Sequence, residues 1–276
     1  MHRFSQVDVF TDRLTSGNPL AVVHDADDLS DDQLAAFARW TNLSETTFLL
    51  RPTDPAADYR VRIFTVNGEL PFAGHPTLGS AYAWLAAGGE PRDRDRLVQQ
   101  CQVGLVPVRR DGDRLAFAAP ALLRSGPVSA EDLAELTRWL GVASDDVVDA
   151  QWVDNGPGWV GVLLRDAATV LAARPSGPGA FRDVGIIGLH PPGAECAVEV
   201  RALFAVGGGL AEDPVTGSLN ASLAQWLIGT GRLPSAYVAA QGTVLGRRGR
   251  VHVSAEREDV WVGGHVADGV TGTVAL

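Results

Sequence analysis

The segment Gly209-Leu210-Ala211-Glu212-Asp213-Pro214-Val215-Thr216-Gly217-Ser218 sets two acids, a proline, a glycine and a hydroxyl just ahead of a run of small and apolar residues. An earlier segment, Gly68-Glu69-Leu70-Pro71-Phe72-Ala73-Gly74-His75-Pro76-Thr77, repeats the plan. Both read as the place where a strand hands over to a helix. A helix start offers backbone N–H groups that the helix itself cannot satisfy, and a partial positive charge, so it holds carboxylates well. Gly74 and Gly217 carry no side chain, which lets a ligand come close to those amides. Ser218 adds a hydroxyl donor at the second start. Two such starts in one chain suggest two half-sites for one small acidic molecule.

The elements around these segments repeat too. Val61-Arg62-Ile63-Phe64-Thr65-Val66-Asn67-Gly68 leads into the first, and Val200-Arg201-Ala202-Leu203-Phe204-Ala205-Val206-Gly207 into the second. Helices follow that close on Gly88-Gly89 and on Gly229-Thr230-Gly231, since glycine suits the helix C-terminus. Strand-like runs come next, Leu97 to Cys101 and Tyr237 to Gln241. A single repeat of this length reads as a duplicated domain and not as a solenoid, whose units are far shorter. Elsewhere, residues 4 to 10 predict a strand, Asn18-Pro19 a turn, and Leu20 to His24 a second strand. Ser30 predicts the cap of a helix reaching Trp40. Strands are expected at Thr47 to Leu50, Tyr59 to Thr65 and Arg114 to Ala118. Ala119-Pro120 and Ser125-Gly126-Pro127 read as the crossing between halves. Further on, the pattern predicts a helix from Ala130 to Leu140, strands at Val148 to Val153 and Trp159 to Leu164, and a loop from Pro175 to Gly179. The helices from Pro76 and from Ser218 have almost no polar face, which predicts burial all round.

Composition narrows the chemistry. The chain has 276 residues, 46% of them hydrophobic, ample for two cores. A net charge of −10 argues against nucleic acid, which requires clustered cations. Every basic residue is Arg; the chain has no Lys. A lysine Schiff base and a P-loop lysine are therefore impossible. Cys101 and Cys196 fall in strand-like runs and read as buried, reduced thiols. The six histidines show no paired-ligand spacing such as H-E-x-x-H, so no metal is expected. No G-x-S-x-G elbow occurs, and Gly207-Gly208-Gly209 does not complete a dinucleotide fingerprint. The N-terminus opens in an alternating strand pattern without the apolar core of a signal peptide, and no run approaches the ~18 apolar residues of a membrane span. These features predict a cytoplasmic protein without membrane partners.

Four pieces together resemble the PhzF family of phenazine-biosynthesis-type isomerases. They are Ser16-Gly17-Asn18-Pro19-Leu20-Ala21-Val22-Val23, Asn42-Leu43-Ser44-Glu45-Thr46, Glu69 through Gly79, and Glu212-Asp213-Pro214-Val215-Thr216-Gly217-Ser218, with Gln241-Gly242 and Gly246-Arg247-Arg248-Gly249 in support. The resemblance spans nearly the whole chain in order. It implies an α+β, diaminopimelate-epimerase-like fold: two pseudo-symmetric domains, each a mixed β-sheet wrapped around a central buried helix, with the active site in the cleft between them. The domains would be 1–118, rejoined by the tail 266–276, and 119–265. It further implies a homodimer that needs no cofactor or metal and serves secondary-metabolite or antibiotic biosynthesis.

The resemblance also assigns roles. Glu45 becomes the general acid/base that moves a proton, and with it a double bond, on a small carboxylated substrate. Such a carboxyl works best with a pKa raised toward neutrality in an apolar site. His75 becomes a substrate contact able to relay a proton, and Asp213 binds a polar substrate group and shapes protonation. Ser44, Gly74, Gly217 and Ser218 join as substrate-binding positions. Asn18 reads as a turn residue, and Arg62 and Arg201 as strand residues. Racemases of the same fold use two facing cysteines, but near Ala73 and from Asp213 to Thr216 this chain has none. The alternatives are an epimerase or racemase using opposed carboxylates, Glu45 and Asp213, and a non-catalytic binder of a small acid.

Overall fold

The structure, a computed structural model, describes residues 1–176, 181, 183–206 and 209–276. Part of the expected 175–179 loop and the Gly207-Gly208 pair lie outside the described residues. The chain forms two compact units, Met1–Ala118 with Gly263–Leu276, and Ala119–Val262.

The first unit contains β1 (His2–Val9), β2 (Asn18–Val23), α1 (Asp31–Thr41), β3 (Thr46–Leu50), β4 (Tyr59–Thr65), β5 (Gly68–Leu70), α2 (Gly74–Ala86), β6 (Arg96–Cys101), β7 (Gly104–Asp111) and β8 (Arg114–Ala118). The second contains β9 (Arg124–Pro127), α3 (Ala130–Leu140), β10 (Val147–Asp154), β11 (Trp159–Leu164), α4 (Ala167–Ala172), β12 (Asp183–Leu189), β13 (Val198–Val206), β14 (Gly209–Asp213), α5 (Gly217–Gly229), β15 (Ala236–Gln241) and β16 (Gly249–Glu256). Through β17 (Asp259–Gly264) the chain returns to the first unit, where β18 (Val266–Val274) pairs with β1.

Pairing follows one plan in both units. In the first, β1 lies antiparallel to β2, β2 runs parallel to β3, β3 is antiparallel to β4, β5 folds back on β4, and β4 runs parallel to β6. In the second, β10, β11, β12, β13, β14 and β15 repeat these five relations in the same order. The fold is sheet-dominated α+β with few helices.

The helices divide into two kinds. α1 and α3 are amphipathic surface helices with their own caps. Ser30 forms a capping box with Gln33, and α1 stops at Asn42 with φ 53°. Ser129 caps α3, which stops at Gly141 with φ 66°. Each covers the outer face of its sheet, α1 over Val23, Phe48 and Phe64, and α3 with α4 over Val160, Val162 and Ile186. α2 and α5 are the other kind. α2 packs against β1, β2, β3, β4, β6, β7, β8 and β18, so the first sheet closes around it. α5 packs on β10 and β16, and its Leu219 and Leu223 press against Gly185 and Gly161 of the neighbouring strands.

Several local expectations are corrected. Asn18-Pro19 is not a turn; it opens β2, paired with Val9 and Asp8. Proline is tolerated at the first positions of a strand, where one lost N–H matters least. The turn lies one step earlier, where buried Asp8 accepts from the amides of Ser16 (2.9 Å) and Gly17 (3.1 Å). Cys196 sits just ahead of β13, not inside it, though it and Cys101 are buried free thiols as expected. Among the described residues no helix is long and apolar enough to cross a membrane.

Packing around α2 is close enough to test. A Cβ on Gly79 would come within 2.5 Å of Leu20 and 3.0 Å of Val9, both fully buried. Alanine is the better helix former by ~1 kcal/mol, whereas overpacking a filled core costs about 1–3 kcal/mol. Gly79→Ala should therefore destabilise the chain on balance, read as a lower urea midpoint at unchanged m-value; a gain in stability would show that the sheet yields around α2.

Candidate active site

Two groups of residues emerge, one in each unit.

In the first unit the group forms at the start of α2. Gly74 is its first residue and His75 its second, both buried. No side chain caps the helix start at Ala73. The chain enters along the β4–β5 hairpin and leaves through a helix sealed by sheet, so His75 is only 5% exposed. Glu45 stands immediately ahead of β3, and its Oε2 is 3.3 Å from His75 Nε2; the side chains are 16% and 6% exposed. The imidazole N–H and the carboxylate oxygen are not aligned as a formed hydrogen bond. Hydrogen bonds between catalytic groups tighten when substrate binds. On the other side of the ring, Asn18 Nδ2 lies 3.4 Å from His75 Nδ1, and Asn18 is fully buried. Burial lowers the His75 pKa from 6.5 to about 3, because the charged ring would be stripped of water. His75 is therefore neutral at physiological pH. Ser44, next to Glu45, is exposed.

In the second unit the group forms at the start of α5. Asp213 ends β14, Gly217 is the first helical residue and Ser218 the second. Gly217 is buried, while Asp213 and Ser218 are half-buried. The N-cap residue, Thr216, makes no side-chain cap. Its Oγ1 instead donates to Asp213 Oδ2 at 2.5 Å. Gln241, fully buried at the end of β15, ties the loop together. Its Oε1 accepts from Thr216 N (3.0 Å) and Asn220 Nδ2 (2.8 Å), and its Nε2 donates to Thr216 Oγ1 (2.9 Å) and the Asp213 carbonyl (3.2 Å). Gly242 follows with φ 87°, and a Cβ there would meet the Pro214 carbonyl at 2.6 Å. Only glycine lets Gln241 seat beside the Pro214 loop. Trp159 Nε1 donates to Ser218 Oγ at 3.1 Å, and Asn155 Nδ2 to the Ser218 carbonyl at 2.9 Å.

Both hairpins leading into these helices carry the same brace. Arg62 on β4 grips Glu69 through Nε (2.8 Å) and Nη2 (2.6 Å). Arg201 on β13 grips Glu212 through Nε (3.1 Å) and Nη2 (2.9 Å). The third arm differs: Arg62 reaches Asp31 in the first turn of α1 (2.6 Å), whereas Arg201 reaches the Val170 and Ala173 carbonyls at the end of α4 (3.1 and 2.9 Å). These arginines are strand residues, as expected, but they also hold the acid that precedes each helix. Sequence reasoning missed the braces and the Gln241 hub. The only signal was the recurrence of an Arg and a Glu within the duplicated segment.

Among the described residues no group of three or more His, Cys, Asp or Glu side chains could hold a metal. The first group offers a carboxylate beside a neutral imidazole at a buried helix start, a pair able to move a proton. The second offers a hydroxyl-bound aspartate at another helix start.

The chain belongs to the phenazine biosynthesis-like PhzC/PhzF family, whose profile matches residues 7–272. It is 35% identical to a trans-2,3-dihydro-3-hydroxyanthranilate isomerase of Pseudomonas aeruginosa, over 93% of this chain and 91% of that one. It is 33% identical to antisense-enhancing sequence 1 of Schizosaccharomyces pombe, over 98% of each chain. Among solved structures, a predicted epimerase from Pseudomonas aeruginosa superposes with a TM-score of 0.82 at 27% identity, covering 100% of both chains. The chain is an enzyme of the isomerase class.

The braces and the buried histidine make separate predictions. Arg201 and Glu212 are 5% and 10% exposed, against 19% and 30% for Arg62 and Glu69. Stranding a buried charge costs about 3–5 kcal/mol, whereas a partly solvated pair is worth ~1 kcal/mol or less. Glu212→Gln should thus lower unfolding free energy by roughly 3 kcal/mol and Glu69→Gln by far less, since Asp31 still faces Arg62. Equal losses in denaturant titrations would refute this ordering. For His75, the unfolded ring binds a proton below pH 6.5 and the folded ring only near 3. Stability therefore falls as pH drops through that window, by up to about 1.4 kcal/mol per pH unit from this one group. His75→Gln should flatten the stability–pH curve there; an unchanged slope would show that the ring titrates normally in the fold.

Proposed function

We propose that the enzyme catalyses a cofactor-independent isomerisation of a small carboxylated substrate, with Glu45 as the base that lifts a proton from carbon and returns it at another carbon on the same face. The double bond moves between the two positions. The observation that carries this reading is the Glu45 carboxylate held 3.3 Å from a neutral, buried imidazole. A neutral His75 does not compete for the abstracted proton, yet it can steady Glu45 or a developing negative charge on substrate. The helix starts at Gly74 and Gly217 supply backbone N–H groups for the substrate's anionic end. Asp213, accepting from Thr216, is set to receive an amine or hydroxyl proton of the same molecule. The substrate class we favour is a cyclohexadiene carboxylate of the dihydro-hydroxyanthranilate type, or a pyrroline-type relative. That reading draws on the relative named above and on the acidic, hydrogen-bonding character of both groups. It entails that Glu45, His75 and Asp213 serve one reaction, in a cytoplasmic homodimer of specialised metabolism.

The experiment is deuterium wash-in from D2O, followed by NMR on trans-2,3-dihydro-3-hydroxyanthranilate. The proton held by Glu45 exchanges with solvent between the two steps, so the enzyme should incorporate label at carbon and shift the double bond. Glu45→Gln should slow both by about 10²–10⁴-fold, the usual contribution of a positioned acid–base group. Undiminished uptake in Glu45→Gln would remove Glu45 from its role. Label gained at a stereocentre with the double bond unmoved would point to epimerisation instead.

A further inference from the structure

The duplicated scaffold sets one donor behind each helix start. Asn18 is the first residue of β2, and Trp159 the first residue of β11. These strands hold the same place in their units: antiparallel to β1 or β10 on one side, parallel to β3 or β12 on the other. α2 and α5 are 13 residues long, and His75 and Ser218 are the second residue of each. Asn18 Nδ2 points at His75 Nδ1 (3.4 Å), and Trp159 Nε1 points at Ser218 Oγ (3.1 Å). One donor thus sits behind the same helical position twice, although the residue types differ at both ends.

What these contacts do follows from donor and acceptor chemistry. An indole N–H only donates, so Ser218 Oγ spends a lone pair on Trp159 and keeps its own proton to give away. A neutral imidazole has one N–H and one bare nitrogen. The amide NH2 of Asn18 needs the bare nitrogen, which makes it Nδ1. At the opposite edge Nε2 faces the Glu45 carboxylate (3.3 Å), which when ionised can accept but not donate. Both neighbours place the proton on Nε2. We infer that Asn18 and Trp159 are matched positioning residues that keep His75 Nε2 as a donor facing the Glu45 carboxylate and Ser218 Oγ as a donor for the substrate. This rests on the reading of His75 and Ser218 as substrate contacts, but the proton's location can be measured without any substrate.

Long-range ¹H–¹⁵N correlation on the histidine-labelled enzyme reports which ring nitrogen carries the proton. At pH 7, His75 should show the Nε2–H form. Asn18→Asp, of the same size, presents only acceptors to Nδ1 and should move the proton there, with a fall in kcat of at least tenfold. Finding Nδ1–H in the unaltered enzyme, as a protonated Glu45 would require, or an unmoved tautomer in Asn18→Asp, overturns the first half. Should Asn18→Asp not fold, the unaltered enzyme's tautomer alone decides. For the second half, Trp159→Phe keeps an aromatic ring, though a smaller one, and removes the N–H. It should lower kcat/KM about tenfold when Ser218 is present and have little effect on a Ser218→Ala background. Equal losses on both backgrounds would mean that Trp159 only packs. If the tautomer is Nε2–H while Glu45→Gln keeps full isotope exchange, the proposed reaction fails and this assignment stands.

Discussion

A helix that begins inside a core leaves its first backbone N–H groups without a helical partner and without water. Most helices resolve this with a capping side chain, as α1 and α3 do with Ser30 and Ser129. α2 and α5 do not: Ala73 has nothing to cap with, and the Thr216 hydroxyl serves Asp213 instead. Both starts are therefore set up to receive an acceptor from elsewhere. The surrounding sheet holds them in place, because each central helix packs on strands of its own unit and cannot shift without opening the core.

The rest of each unit holds that arrangement still. An Arg–Glu fork pins the hairpin ahead of each helix, and Gln241 binds the Asp213 loop through both ends of its amide. Asp8 pins the turn that delivers Asn18. Asp8, Arg201 and Gln241 are buried, and the hydrogen bonds above help offset the cost of taking them out of water. Polar groups satisfied in this way fix geometry to tenths of an ångström, which acid–base chemistry needs more than it needs raw affinity.

Duplication supplied a common frame, and divergence supplied the chemistry. At equivalent positions the units carry His75 and Ser218, Leu70 and Asp213, Ala73 and Thr216, and Thr77 and Asn220. One unit contributes a carboxylate and a neutral ring, the other an aspartate and a hydroxyl. The braces diverged likewise. The Arg201 guanidinium is buried against the end of α4, while that of Arg62 stays closer to water beside Asp31.

Much of this was readable from the chain. The repeat around Gly68 and Gly209, the helix capped at Ser30, the helix from Ala130 and the apolar α2 and α5 follow from local patterns, because capping and periodicity are properties of neighbouring residues. Elements without such a pattern were missed: α4 is only six residues long, and β14 is built from Gly-Leu-Ala-Glu-Asp, poor strand formers paired through β13. Asn18 looked like a turn residue because Asn-Pro usually is one; the pairing of β2 with β1 overrode that preference. Residue types and their order determined the family, the duplication and the identities of Glu45, His75 and Asp213 as candidates. Tertiary structure alone decided that Glu45 meets His75, that the ring is neutral, and that Asn18 and Trp159 stand behind the helix starts. The reason is physical: pKa, tautomer and hydroxyl direction depend on desolvation and on partners far away in sequence, and no local pattern encodes them.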